Sequence, residues 1–151
     1  MIRLFTGYDL REAVGWGVFA ASVLARAKAP FQLIPLSWQQ ADGSNAFTYA
    51  RFLVPQLCEY KGWAIFADGC DMVCLADINE LWELCDSRYA VQVVKHSYKT
   101  LDHRKYRGTE MECRNVSYPR KNWSSLMLIN CAHENARPQL EDVSMGLHQF
   151  A

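Results

Sequence analysis

The chain has 151 residues, half of them hydrophobic and 21% charged, which suits one domain with a single core and excludes a disordered tail or a coiled coil. Its 16 basic and 16 acidic residues cancel, so no net charge draws it to nucleic acid or an anionic membrane. No stretch approaches the ~18 uninterrupted apolar residues of a membrane-crossing helix. The first residues lack the basic region and apolar core of a secretion signal, which points to a cytoplasmic protein. Cys58, Cys74 and Cys131 sit in apolar surroundings and no Cys-x-x-Cys pair occurs. The cysteines therefore read as free thiols rather than disulfides or zinc ligands.

In chain order, Ile2–Thr6 reads as a first strand running into Gly7-Tyr8-Asp9. Asp9 suits a helix N-cap, with Glu12 placed to complete a capping box. Ala13, Trp16, Phe19, Val23 and Leu24 then recur at helical spacing. Phe31–Leu36 is a second strand, residues 38–45 a polar loop, and Thr48–Tyr60 a helix. Trp63–Ala67 is a short apolar run typical of a strand buried on both faces, and it ends abruptly at Asp68 and Asp71. Asp77 caps a helix from Ile78 to Leu84. Tyr89–Val94 and Ser125–Cys131 give a fourth and a fifth strand, and Arg137–Phe150 a weak helix or turn.

Strands alternating with helices imply an α/β domain with a mainly parallel sheet. Trp63, Ile65 and Phe66 are expected at its centre, with Ile2, Leu4, Val91 and Val93 as neighbours. The segment from His96 to Lys121 is rich in Lys, Arg and Tyr without a clear period. A connection of that length reads as a functional lid or a mobile insert.

Ligands collect at the carboxyl ends of parallel strands. Asp68 and Asp71 there, on a loop softened by Gly69, make a hard oxygen site for Mg²⁺ or Mn²⁺ beside a phosphate. A turn with two solvated aspartates is the plainer alternative. Residues three apart on an extended chain point to opposite faces, so convergence needs a turn or bulge, which Gly69 permits. Thr6, Gly7, Tyr8 and Asp9 end a strand expected beside Asp68, where helix amides suit a diphosphate. Arg51 shares an otherwise apolar helix face and needs a partner, either a diphosphate or an aspartate of this site. Lys95 and His96 follow an apolar strand and could meet acceptor or phosphate. Lys99, His103, Arg104, Lys105 and Arg107 read as solvated loop charges.

Several pieces in order resemble one family. They are Thr48-Tyr49-Ala50-Arg51, Ala64-Ile-Phe-Ala-Asp68 followed by Asp71-Met-Val, Asp77-Ile78 with Leu81-Trp82, and Asn122-Trp-Ser-Ser-Leu-Met-Leu-Ile-Asn130. Together they resemble the nucleotide-sugar glycosyltransferases of the GT-A fold, family 8 and its bacterial and phage-type relatives. The resemblance implies a single Rossmann-like GT-A domain over residues 1–151. It implies a metal-dependent enzyme that moves sugar from a nucleoside-diphosphate donor to an unknown acceptor with retention. Mn²⁺ or Mg²⁺ would sit at Asp68 and Asp71, and Thr6, Gly7, Tyr8, Asp9, Arg51 and Asp68 would meet the donor. His148 and Gln149 fall where relatives place polar residues near the reacting carbon.

Three departures qualify the resemblance. The family's Asp-x-Asp is stretched here to Asp-Gly-Cys-Asp, Trp123 and Ser125 replace its Asn and Gly, and its C-terminal His motif has no counterpart. The expectation is a chain truncated at its C-terminus, with an incomplete metal site and a tendency to self-associate. Two alternatives stay open. One is a non-catalytic nucleotide- or sugar-binding remnant. The other is a sugar-phosphate nucleotidylyltransferase, of whose Gly-rich loop Gly7-Tyr-Asp-Leu-Arg11 is a poor version.

Overall fold

Residues 1–38 and 45–136 are described by a computed structural model. Its strands are β1 (Ile2–Gly7), β2 (Phe31–Leu36), β3 (Trp63–Ala67), β4 (Val91–Val93), β5 (Arg104–Lys105), β6 (Cys113–Arg114) and β7 (Leu126–Asn130). Five of them form one sheet in the order β2-β1-β3-β7-β4. β1 runs parallel to β2 and β3, with Leu4 opposite Ile65 and Phe5 opposite Phe66. β7 is inserted antiparallel, with Phe66 opposite Met127 and Val91 opposite Ile129. The sheet is thus mostly parallel, as expected.

Val91 and Val93 are not neighbours of β3, because β7 lies between them. The reason is burial. Met127–Asn130 are all buried, whereas Val91 is 43% exposed. The more apolar strand takes the interior, and the three-residue β4 takes the edge, where less apolar surface is removed from water.

Alternate residues of β3 feed two cores, as the pleat requires. Ala64 and Phe66 join Phe5, Val54, Met127 and Ile129 on one face. Ile65 and Ala67 join Leu4, Phe19, Val23, Ile78 and Leu128 on the other. Helices cover both faces: α1 (Ala13–Leu24) and α3 (Ile78–Trp82) supply Phe19, Val23 and Ile78 to the second core, and α2 (Val54–Leu57) supplies Val54 to the first. Asp9 caps a 3-10 turn, Leu10–Glu12, that leads into α1, and Asp77 caps α3 through the Asn79 amide. Glu12 does not close the box but accepts from Asn45 Nδ2 at 2.6 Å.

The expected Thr48–Tyr60 helix is broken into a turn, a 3-10 helix (Ala50–Leu53) and the single turn of α2. Pro55 has no N–H to offer the Arg51 carbonyl, and the Val54 amide closes on it in a tighter 3-10 bond. Glu59 and Tyr60, at φ 52° and 55°, then stop any continuation. All six cysteines are free, Cys58 and Cys131 being buried. Among the described residues no helix is long and apolar enough to cross a membrane. The expected helix or turn at 137–150, with His148 and Gln149, lies outside the described residues.

Candidate functional site

β3 delivers Asp68 to the sheet's carboxyl edge, where its amide donates to the Ser125 carbonyl at 2.9 Å. Gly69 then adopts φ +78°, a region that side-chain-bearing residues rarely enter, and turns the chain into Cys70 and Asp71. Two other glycines hold this loop by close approach. A Cβ on Gly7 would strike the Phe47 ring and come within 2.8 Å of the Asp68 carbonyl oxygen. A Cβ on Gly15 would overlap the Cys70 carbonyl. The end of β1, the first turn of α1 and the loop 68–71 are therefore wedged together. Asp71 is left exposed at the rim.

Arg51 is 7% exposed. Its Nη1 donates to the Ser124 carbonyl at 2.7 Å and to Ser124 Oγ at 3.0 Å, and its Nε to the Thr48 carbonyl at 2.9 Å. The guanidinium carbon lies 4.9 Å from the centre of the Phe66 ring, within cation–π range. Nη2 lies 2.9 Å from Asp68 Oδ1. That contact is an ion pair without hydrogen-bond alignment, and Oδ1 is the one buried side-chain polar atom, among the described residues, with no hydrogen-bond partner. Burial pushes the Asp68 carboxyl pKa up, and the Asp71 charge adds to this. The Arg51 charge opposes it without cancelling it.

In front of this pair opens a cavity of about 900 Å³. Its lining includes the carboxylates of Glu12, Asp68 and Asp71. Residues 96–122 contribute Lys105, Tyr106, Arg114 and Lys121 among others. This segment, legible beforehand only as an aperiodic insert, is tied down at several points. Asn45 Nδ2 donates to Tyr106 Oη at 3.2 Å as well as to Glu12, and Trp123 Nε1 donates to the His96 carbonyl at 3.1 Å. Burial pushes the Tyr106 phenol up to about 12.

The structure thus brings Arg51, Asp68, Asp71, His96 and Lys105 to one cavity. The first turn stands behind it. Thr6 is fully buried, and its Oγ1 accepts from Trp16 Nε1 at 2.9 Å. Tyr8 meets the Trp16 ring edge-on at 5.4 Å. The Asp9 carboxylate accepts from the Arg11 amide, Arg11 Nε and Nη2, and the Ala46 amide. Thr6, Gly7, Tyr8 and Asp9 are not among the residues that line this cavity. Lys95 likewise packs on the Trp123 ring, and Arg104 and Arg107 pair with Glu112 and Asp102. Tyr106, Arg114 and Lys121 are not marked as site residues in the sequence, because no period marks residues brought in from a loop, and Glu12 is marked there only as a capping residue.

Asp68 and Asp71 line the same cavity, and carboxylate oxygens are the ligand type that a hard divalent cation takes. Among the described residues no three His, Cys, Asp or Glu side chains form a ligand group. A cation held by two carboxylates keeps waters or takes phosphate oxygens at its other positions, the habit of Mg²⁺.

No family model matches the chain. It is 37% identical over 165 residues to Protein CDI of Arabidopsis thaliana, an alignment covering 98% of this chain and 62% of that protein. The chain therefore spans less than two thirds of that relative's length. Among solved structures it is similar to the apo WbbM bifunctional glycosyltransferase, with a TM-score of 0.59 and 16% identity over 86% of this chain and 31% of that one. The fold of this chain is glycosyltransferase-like.

Proposed function

We propose that this chain is a GT-A-type glycosyltransferase domain that takes sugar from a nucleoside-diphosphate donor to an acceptor, with a divalent cation and with retention of anomeric configuration. The observation that carries this reading is the pair of carboxylates, Asp68 and Asp71, lining a cavity of about 900 Å³ at the carboxyl end of β3. The similarity of fold to WbbM and the resemblance of the Arg51, Asp68–Asp71 and Asn122–Asn130 segments support it.

Asp68 and Asp71 would hold Mn²⁺ or Mg²⁺, with water or phosphate oxygens at the remaining positions. Bound there, the cation supplies Lewis-acid charge for a diphosphate leaving group. Arg51 fixes the Asp68 carboxylate at 2.9 Å and supplies positive charge beside the same oxygen. Gly7 and Gly15 let β1 and α1 approach the loop backbone at Asp68 and Cys70, and Gly69 makes its turn, so the loop that carries both aspartates is closely packed. Asp71, exposed at the rim, is the residue whose loss should remove cation binding while sparing the fold.

Titration calorimetry of UDP and GDP, with and without Mn²⁺, tests this reading in wild type and Asp71→Ala. Mn²⁺-dependent binding of at least one nucleotide, lost in the variant, is expected. Equal affinities in the two proteins would remove the metal assignment. One observation favours the non-catalytic remnant, namely that Asp68 already has a cationic partner in Arg51. Hydrolysis of the matching nucleotide sugar over many turnovers would exclude that reading.

A further inference from the structure

The cations of the 95–121 segment differ in their partners. Arg104 pairs with Glu112, and Arg107 lies 2.5 Å from Asp102. Lys105, Arg114 and Lys121 line the cavity, and none of the three makes an ion pair among the described residues. Lys121 Nζ is surrounded by neutral groups instead. It donates to Asn115 Oδ1 at 2.5 Å, the Val116 carbonyl at 2.7 Å and Thr100 Oγ1 at 3.1 Å. It also stands 5.8 Å from the Tyr98 ring centre and 5.5 Å from that of Tyr118. Lys105 Nζ lies 5.4 Å from the centre of the Tyr106 ring.

This arrangement has a cost. β5–β6 pairing sets Arg114 opposite Arg104, and like charges directly opposite are destabilising. Arg104 is relieved by Glu112, but Arg114 is not. Lys121 feels both burial and the Lys105 charge, which together hold its pKa below the ordinary lysine value. Cations that line one cavity without an ion-pair partner are stabilised by an anion that binds among them. Of the cavity's carboxylates, Glu12 is drawn to Asn45 and Asp68 to Arg51. Tyr98, Tyr106 and Tyr118 add aromatic faces with polar tips, surfaces on which the C–H face of a sugar packs.

We infer that Lys105, Arg114 and Lys121 with the neighbouring tyrosines form a subsite for an anionic sugar, bearing a phosphate or a carboxylate, in the cavity that Asp68 and Asp71 also line. Resting on the glycosyltransferase reading, it assigns that sugar as the acceptor. The cation and donor diphosphate would then take the aspartates, and the anionic acceptor the basic residues.

Lys105→Gln with Arg114→Gln tests the inference. Both side chains belong to exposed residues of a small hairpin, so the double variant should keep the wild-type Tm. Lys121 is left intact because its ammonium ties three loop positions together. Inorganic phosphate, glucose 6-phosphate, glucuronate and neutral glucose are titrated into the whole chain at low and high salt. At least one anion should bind about tenfold or more tightly than glucose, weaken with salt, and lose about tenfold in the double variant. Binding of UDP with Mn²⁺ should be unchanged in that variant. Anions binding no better than glucose, or equally well to both proteins, would overturn the subsite. Loss of UDP binding in the double variant would overturn it too, by assigning these cations to the donor. If wild type binds the anion but no nucleoside diphosphate, the subsite stands and the glycosyltransferase reading fails.

Discussion

Arg51 Nη2 stands 2.9 Å from Asp68 Oδ1, with the two side chains only 8% and 19% exposed. Charges that far out of water are costly singly and tolerable together. The sequence places Arg51 on an apolar surface with Phe47 and Val54, and the fold answers with Asp68 and the Phe66 ring. Arg51→Met should therefore destabilise the domain by about 3–5 kcal/mol, because it strands a buried carboxylate. Arg51→Lys keeps the charge but loses the fork to Ser124, and should cost less. Urea unfolding measures both. A loss below about 1 kcal/mol for Arg51→Met would show that Asp68 reaches water on its own.

The glycines of α1 should respond with opposite signs. Gly17 faces open space in mid-helix, so Gly17→Ala should stabilise by about 0.5–1 kcal/mol through the unfolded chain's entropy and helix propensity. Gly15→Ala gains the same propensity but drives a methyl into the Cys70 carbonyl. It should destabilise by about 1–3 kcal/mol, as overpacking does, and displace Asp71 enough to weaken Mn²⁺ binding. Thermal melts of the two variants side by side give the comparison, and equal shifts would mean that the loop yields freely.

Much of this was legible in the sequence because it depends on local signals. Trp63–Ala67 and Leu126–Asn130 are apolar runs long enough only for strands, and Asp9 and Asp77 are caps with the usual chemistry. That Arg51 needs a partner followed from one charge on an apolar surface, and of the alternatives left open, a diphosphate or an aspartate of the loop, the fold supplies Asp68. The order of β7 and β4 was not legible, since apolar runs do not announce which neighbour they choose. Nor were the partners at the end of β1, where Trp16 donates to Thr6 and Arg11 and Ala46 donate to Asp9. The basic residues of the cavity were hidden for a further reason. Lys105 and Arg114 belong to a hairpin of two-residue strands, too short to leave a periodic trace.

Asp9 should carry part of the acid sensitivity of the fold. Hydrogen bonding by the Arg11 side chain, with the Ala46 and Arg11 amides, holds its pKa well below the ordinary 3.8 and outweighs its burial. A carboxylate depressed in the folded state stabilises above its unfolded pKa, and that contribution fades as pH falls below it. Wild type should lose stability steadily below about pH 4, and Asp9→Asn should flatten that limb while lowering stability at pH 7. Chemical denaturation at pH 3, 5 and 7 measures the slopes, and parallel curves for the two proteins would place the acid sensitivity elsewhere.

Asp68 should act with the reverse sign. Its pKa is raised above 3.8, burial outweighing the pull of Arg51. A group raised in the folded state contributes fully below its unfolded pKa, and the contribution is lost as pH climbs through the folded value. Relative to Asp68→Asn, wild type should therefore lose stability as pH rises from about 4, and level off once the folded carboxyl has ionised. The ionised form is also the one that holds a cation, so Mn²⁺ at pH 7 should recover stability in wild type by mass action and leave Asp68→Asn unmoved. Denaturation midpoints of the two proteins across pH 4–8, with and without Mn²⁺, give the comparison. A stability difference constant with pH would show that the buried oxygen is better solvated than its surroundings imply. A difference that varies with pH but ignores Mn²⁺ would leave Asp68 as the partner of Arg51 alone.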